Sequence, residues 1–373
     1  MRLKNVLRLG VKELWSLFRD PMLIFLIIFA FTVSIYSAST AVPETLQNAP
    51  IAIVDEDRSP LSARIAGAFL PPYFTRPQLI DHEEMDARMD SGLDTFALNI
   101  PPEFQKDVLA GKSPVIQFNV DATRMSQAFT GSAYVQTIVN DEVQEFVNRY
   151  HEDTRPPVDL ALRSRFNPTL DKSWFGAIYN VINNITTLSI VLTGAALLRE
   201  REHGTIEHLL VMPVTPLEIM MAKVWSMALI VLVASAFSVA FVVQGLIGVP
   251  IEGSLALFFV GAAIHLFATT SMGIFFATIA NSMQQFGLLL MLIVSPMQML
   301  SGGSTPRESM PEIVQDVMLG APTTHFITLS QAILFRGAGL DVVWPQLLAL
   351  VIIGGVFFGI AQARLRNTIG MMS

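Results

Sequence analysis

From Gly253 to Pro306 the chain carries no formally charged residue. One membrane-crossing helix needs roughly 20 apolar residues to bridge a hydrocarbon layer of about 30 Å, so this run has room for two crossings, divided near Asn281 and Ser282. Composition points the same way. With 52% hydrophobic and only 15% charged residues, the chain is too apolar for an ordinary soluble protein. The expectation is a polytopic α-helical membrane protein. The absence of cysteine excludes disulfides and thiolate metal sites, and a net charge of −7 does not suit nucleic-acid binding.

Pro21 to Pro43 is also uncharged, and longer than the apolar core of a cleaved signal peptide, which predicts an uncleaved first span. Ahead of it, Leu3, Val6, Leu7, Val11, Leu14, Leu17 and Phe18 recur at helical spacing, with Lys4, Arg8, Lys12 and Arg19 mostly off that stripe. Residues 1–20 read as an amphipathic interfacial helix, or else as the basic flank of the first span. Both readings place the N-terminus in the cytoplasm.

The complete pattern is six transmembrane helices, at 21–43, 173–198, 224–248, 254–280, 283–301 and 342–363, with both termini cytoplasmic. Residues 302–341 read as a periplasmic re-entrant loop. Within it, Val317 to Phe335 lacks charge, but Gly320 and Pro322 interrupt it, and a seventh crossing would carry Arg364 and Arg366 of the 364–373 tail outside. Gly355 and Gly359 of the last helix stand at helix-dimerisation spacing.

Residues 44–172 differ in kind, being polar and acidic. They predict a large α/β domain inserted between helices 1 and 2: strand Ile51 to Val54, helix Pro60 to Leu70, strand Thr95 to Ile100, helix Pro102 to Ala110, strand Val115 to Val120, and a long helix from Met125 to Tyr150. Following an in-to-out span, this domain is expected to be periplasmic.

Residues 199–223 form a charged island between two spans. Arg199, Glu200, Arg201, Glu202, Glu207 and Glu218 gather around Gly204 and Pro213. A plain anchoring loop needs a few basic residues only, whereas interleaved acids and bases suit a surface that docks onto a soluble partner. The same stretch carries a family likeness. Arg199 to Glu202, Gly204, Thr205, Glu207, Leu209, Leu210, Pro213, Glu218, Ile219 and Lys223 resemble the intracellular loop of ABC-2 type exporter permeases; Ala222 stands where the family often has glycine. The resemblance continues through Ile53 to Ser62, Leu98 to Phe104, Val120 to Ala128, Asn167-Pro168, Leu300 to Gly302, Met310-Pro311 and Arg336-Gly337.

That resemblance implies a permease subunit of the bacterial inner membrane, which moves an amphiphilic or hydrophobic substrate outward. ATP and Mg would be used by a separate ABC ATPase subunit, with no cofactor bound by this chain. It further implies a second permease copy, identical or a close paralogue, and a periplasmic adaptor (membrane-fusion) protein. In that scheme Glu200, Glu202 and Glu207 make polar docking contacts to the ATPase, Gly204 and Pro213 shape the turn, and Leu209 and Leu210 fill an apolar socket.

Inside the spans, Asn180, Asn183, Asn184 and Thr187 fall on one helical stripe, which faces either a neighbouring helix or a solvated substrate path. His265, within the uncharged run, is a site candidate or a hydrogen-bonded packing residue. Two look-alikes carry no nucleotide chemistry. Gly111-Lys112-Ser113 has Lys106 where a phosphate-binding loop needs glycine, and Leu300 to Ser304 imitates an ATPase signature with no phosphate-binding loop to accompany it. The competing class is a membrane-anchored scaffold or sensor with a ligand-binding periplasmic domain, against which the exporter-type loop argues. A membrane-embedded enzyme ranks last, because no paired acids or metal-ligand spacing lie inside the spans.

Overall fold

Asp20 starts the first apolar helix: its carboxylate accepts the free amides of Met22 and Leu23 at 3.1 and 3.2 Å, and Pro21 occupies the first helical position. In the computed structural model, residues 2–40, 46, 48–150, 172–202, 214–305 and 307–370 are described. They divide into two units, Met1–Val42 with Ser164–Ser373, and Pro43–Arg163.

In the first unit an N-terminal helix, α1 (Leu3–Phe18), precedes α2 (Pro21–Phe31) and α3 (Val33–Thr40), which are separated by non-helical backbone at Thr32. Across the second unit, described below, the chain continues as α8 (Lys172–Glu202), α9 (Pro216–Phe237, prolonged by π-helical turns over Ser238–Leu246), α10 (Leu255–Ile279) and α11 (Met283–Met299). Two short helices, α12 (Glu312–Met318) and α13 (Pro322–Leu334), lead to α14 (Leu340–Gly370).

Five of these helical stretches are long and apolar enough to cross a membrane: Pro21–Thr40, Ser173–Glu202, Pro216–Leu246, Leu255–Ile279 and Leu340–Arg366. The expected fifth crossing, 283–301, is the apolar helix α11, with 17 residues and Pro296 inside it. At 1.5 Å per residue it spans only about 25 Å, less than a full hydrocarbon layer.

The core of this unit is α10, whose buried Phe258, Ala262, Leu266 and Thr269 lie among α8, α13 and α14. α14 turns Trp344, Leu348, Ile352 and Val356 outward, and Gly355 and Gly359 meet no neighbour within 4 Å. The segment expected as a charged island differs from the expectation: Arg199 to Glu202 form the last turn of α8, and Pro216 to Lys223 the first two turns of α9. Helix extends into the charges because each of Arg199 to Glu202 finds a partner on a neighbouring helix or at its end.

The second unit is an α/β fold. A four-stranded sheet has the order β2 (Gln78–Leu79), β1 (Ile51–Asp55), β3 (Phe96–Ile100), β4 (Gln117–Val120); β1 pairs parallel with both neighbours and β4 closes it antiparallel. Helices α4 (Pro60–Ala68), α5 (His82–Asp90), α6 (Phe104–Leu109) and α7 (Met125–Tyr150) accompany it. Ile53, Leu61, Ile65, Phe74, Phe96 and Leu98 form its core, all at most 1% exposed. The elements read from the sequence are present within a few residues; β2 and α5 were not foreseen. β2 has two residues and both are exposed, and α5 buries only Met85, so neither carries an apolar period.

Candidate functional site

The last turn of α8 fans four consecutive charges onto different helices. Successive residues on a helix point about 100° apart, so Arg199, Glu200, Arg201 and Glu202 leave α8 in different directions. Arg199 Nη1 pairs with Asp20 Oδ2 at 3.1 Å, at the junction of α1 and α2. Glu200 pairs with Lys12 of α1 at 2.9 Å and with Lys223 of α9 at 2.8 Å. Arg201 Nη1 donates to the carbonyls of Ala277 and Ala280, at 2.8 and 3.1 Å, where α10 ends. Glu202 Oε1 accepts the Met283 amide at 2.9 Å, where α11 begins. A cation on the free carbonyls of a helix C-terminus and an anion on the free amides of an N-terminus each stabilise those ends.

Lys223 is the centre of this hub. It is 1% exposed, pairs with Glu13 at 3.1 Å as well as with Glu200, and donates to the Ala196 carbonyl at 3.4 Å. One ammonium thus joins α1, α8 and α9. Lys12 adds a partly solvated cation; burial alone would lower its pKa, but Glu200 and then Glu13 more than offset this and raise it. A cavity of about 280 Å³ opens beside the cluster, lined on one side by Lys12, Glu13, Arg199 and Glu200 and on the other by Leu17, Leu192 and Met227.

α1 is seated by close packing as well. Trp225 of α9 lies flat against Gly10, where a Cβ would come within 2.1 Å of the ring, and its Nε1 donates to the Val6 carbonyl at 3.3 Å. Glu218 makes a capping box with Thr215 at the start of α9, and also accepts from the Arg2 amide and Asn5 Nδ2. The opposite face of α1 leaves Leu3, Leu7, Val11, Trp15 and Phe18 exposed, a continuous apolar stripe at helical spacing.

The structure therefore gives Arg199, Glu200, Arg201 and Glu202 partners on separate helices, and places Glu218 apart from them, against Thr215, Arg2 and Asn5. It gives Glu200 a different use from outward docking, since its side chain is only 12% exposed. Gly204, Thr205, Glu207, Leu209, Leu210 and Pro213 lie outside the described residues. Glu13 and Asp20 were not foreseen. Glu13 is the sole acid among residues 1–19 and shares helical spacing with the buried Val6, Gly10 and Leu17.

The polar stripe of α8 divides among its neighbours. Asn184 Nδ2 donates to the Ala30 carbonyl of α2 at 2.6 Å. Gln298 of α11 donates to Thr187 Oγ1 at 2.6 Å and to the Asn183 carbonyl at 3.3 Å, while Asn180 bonds its own helix at Gly176, at 2.8 Å. The Asn183 Oδ1 atom is buried without a partner among the described residues. His265 is fully buried, 2.9 Å from Thr186 Oγ1 through Nε2 and stacked on Phe326 of α13 at 4.2 Å between centroids. Ser189 donates to Thr269 one turn further on, at 2.6 Å. This hydroxyl seam between α8 and α10 was missed because serine and threonine do not interrupt an apolar run.

Several apolar helices, an inserted α/β unit and a hub of charge at one end of the bundle define a polytopic helical membrane protein. The chain belongs to the ABC-2 family of transporter proteins, whose profile matches residues 22–362. It is 61% identical over 371 residues to the inner membrane transport permease YhhJ of Escherichia coli K12, covering 100% of this chain and 99% of that one. It is 28% identical to the probable multidrug ABC transporter permease YbhR of the same organism, over 96% and 97% of the two chains. To the probable multidrug ABC transporter permease YbhS it is 24% identical, over 98% and 97%.

Proposed function

We propose that this chain is the membrane-spanning subunit of an ATP-driven exporter, powered by a separate ABC ATPase that engages the 199–223 segment, and that it carries an amphiphilic or hydrophobic substrate outward across the inner membrane. The observation that carries the reading is the hub. A force applied to the polypeptide between α8 and α9 reaches α1, α2, α10 and α11 through four consecutive side chains. A passive connection between two spans has no use for such convergence.

Orientation follows from charge. Lys12, Arg19, Arg199, Arg201 and Lys223 lie at one end of the bundle, and Leu365, beside Arg364 and Arg366, packs in the same apolar cluster as Leu198 and Ala280. The positive-inside rule assigns this end, with both termini, to the cytoplasm, and the 44–172 segment to the periplasm. There the acidic α/β unit would meet an adaptor protein. A second permease copy would complete the path, its own outward-turned α14 face being one surface for pairing.

The test is reconstitution with the partner ATPase in lipid vesicles. Glu202→Lys should leave insertion intact, because Glu202 is exposed and loses only its contact to the Met283 amide at the start of α11, yet abolish stimulation of ATP hydrolysis by the permease. Wild-type stimulation in this variant would refute the coupling role.

A further inference from the structure

The end of the bundle opposite the hub holds a second polar site. Tyr179 lies 20 residues before Arg199 on α8 (199 − 179), about 30 Å at the helical rise. There the turn after α11 is pressed against α8 and α13: a Cβ at Gly303 would come within 2.4 Å of the Tyr179 ring. Tyr179 in turn donates to the Gln298 carbonyl at 3.0 Å. Beneath this turn is a cavity of about 400 Å³, walled by Gly302, Gly303 and Ser304, by Thr328 of α13, and by Arg307 and Arg336.

Two arginines and one carboxylate, Glu308, line that cavity, so its charged side chains carry a net positive charge. The arginines are not tied up by acids: neither is in a salt bridge among the described residues, and Arg307 Nε is buried there with no hydrogen-bond partner. Among the described residues the Arg307 side chain makes one hydrogen bond, to the Gln315 carbonyl of α12 at a long 3.4 Å. A buried guanidinium donor without a partner is costly, and a planar, multidentate cation of this kind fits a phosphate or carboxylate. The hydroxyl of Ser304 and the amide of Gln331 supply neutral donors around the same space, while Thr328 already donates its hydroxyl to the Thr324 carbonyl at 2.9 Å. The helix that Arg307 touches is amphipathic. α12 turns Ile313 and Val317 outward, 78% and 71% exposed, and Leu319 follows them.

We infer that this cavity is an anion site for the phosphate or carboxylate head of an amphiphile, with the apolar edge of α12 beside it for the tail. The assignment rests on the proposed function in one respect only: it names the substrate's head group as anionic. Gly302 to Ser304 of the stretch that imitates a nucleotide signature form one wall of this site.

Binding can be measured without any ATPase, so failure of this assignment is separate from failure of the coupling reading. The full chain is placed in nanodiscs of phosphatidylcholine doped with phosphatidylglycerol, and retained lipid is counted by native mass spectrometry. Phosphatidylglycerol should be enriched at least about tenfold over phosphatidylcholine, the equivalent of about 1.4 kcal/mol. Arg307→Gln with Arg336→Gln should abolish that preference. Arg336 is exposed, so Arg336→Gln alone retains the fold and should weaken the preference by itself. Equal retention of the two lipids, or a preference that survives both substitutions, overturns the proposal. Release of the bound lipid by inorganic phosphate at millimolar concentration would assign the site to a free anion and overturn the amphiphile.

Discussion

Replacing Lys223 with methionine isolates the contribution of one ammonium. The apolar stem and length of the side chain are kept, but Glu13 and Glu200, at 3.1 and 2.8 Å from the nitrogen, lose their shared cation in a site where Lys223 is 1% exposed. At an effective dielectric constant of about 20, each pair represents about 5 to 6 kcal/mol of attraction before desolvation. Desolvation of the three groups offsets much of this, but a buried partner left alone remains unfavourable, so the expected net loss is about 3 to 5 kcal/mol. Lys12 reduces it, being half exposed and still able to reach both carboxylates. The purified full chain, heated in detergent and followed by size-exclusion chromatography with fluorescence detection, should lose its native peak several degrees earlier in Lys223→Met. Adding Glu13→Gln and Glu200→Gln removes the orphaned charges and should restore most of the loss. An unchanged midpoint in Lys223→Met would refute the reasoning, as would a triple variant no more stable than the single one.

Gly10→Val should cost about 1 to 3 kcal/mol by overpacking, because the Trp225 ring fills the space of any side chain there. The released α1 would be cut sooner in limited proteolysis. Lys12 has a raised pKa, so its contribution is complete below its ordinary value of 10.5 and is lost as pH rises through the higher folded value; Lys12→Gln should flatten this alkaline limb of the unfolding midpoint. In the α/β unit, Arg88→Ala strands Asp94, a carboxylate 3% exposed that Arg88 Nε holds at 2.6 Å. The expected loss is about 3 kcal/mol or more, seen as faster proteolysis within residues 48–150 of the intact protein.

Five of the six expected spans were legible because a bilayer imposes a length and excludes charge, two properties that a sequence displays directly. The α/β unit was legible where strands are short apolar runs, as at Ile51 to Val54, and where helices begin with proline, as at Pro60. It was not legible at α5, whose charged sequence buries Met85 alone. At Arg199 to Glu202 the sequence showed charges between two spans, which look like a water-facing loop, and only the fold reveals Asp20, Ala277 and Met283 waiting at neighbouring helix ends. Glu13 could have been found as a lone acid on the buried face of a basic helix. Its partner, Lys223, lies 210 residues away, beyond the reach of any local pattern.

Placing the hub within a helix, and not in a loop, has a mechanical consequence. Sharp kinks occur mostly at proline or where the hydrogen-bond ladder is interrupted, and α8 contains no proline from Ser173 to Glu202. Gly194 gives no freedom either, since Phe286 and the Gly273 carbonyl fill the space beside it. Midway, Thr186 with His265 and Ser189 with Thr269 fasten α8 to α10 through buried hydrogen bonds, so the two helices resist sliding past each other. A displacement imposed at Glu200 therefore reaches Tyr179 as movement of a rod, not as bending along it. Val191→Gly with Leu192→Gly, which softens the helix without changing its register, should leave the charges at one end and the turn at Gly303 in place. It would nevertheless sever the mechanical connection between them.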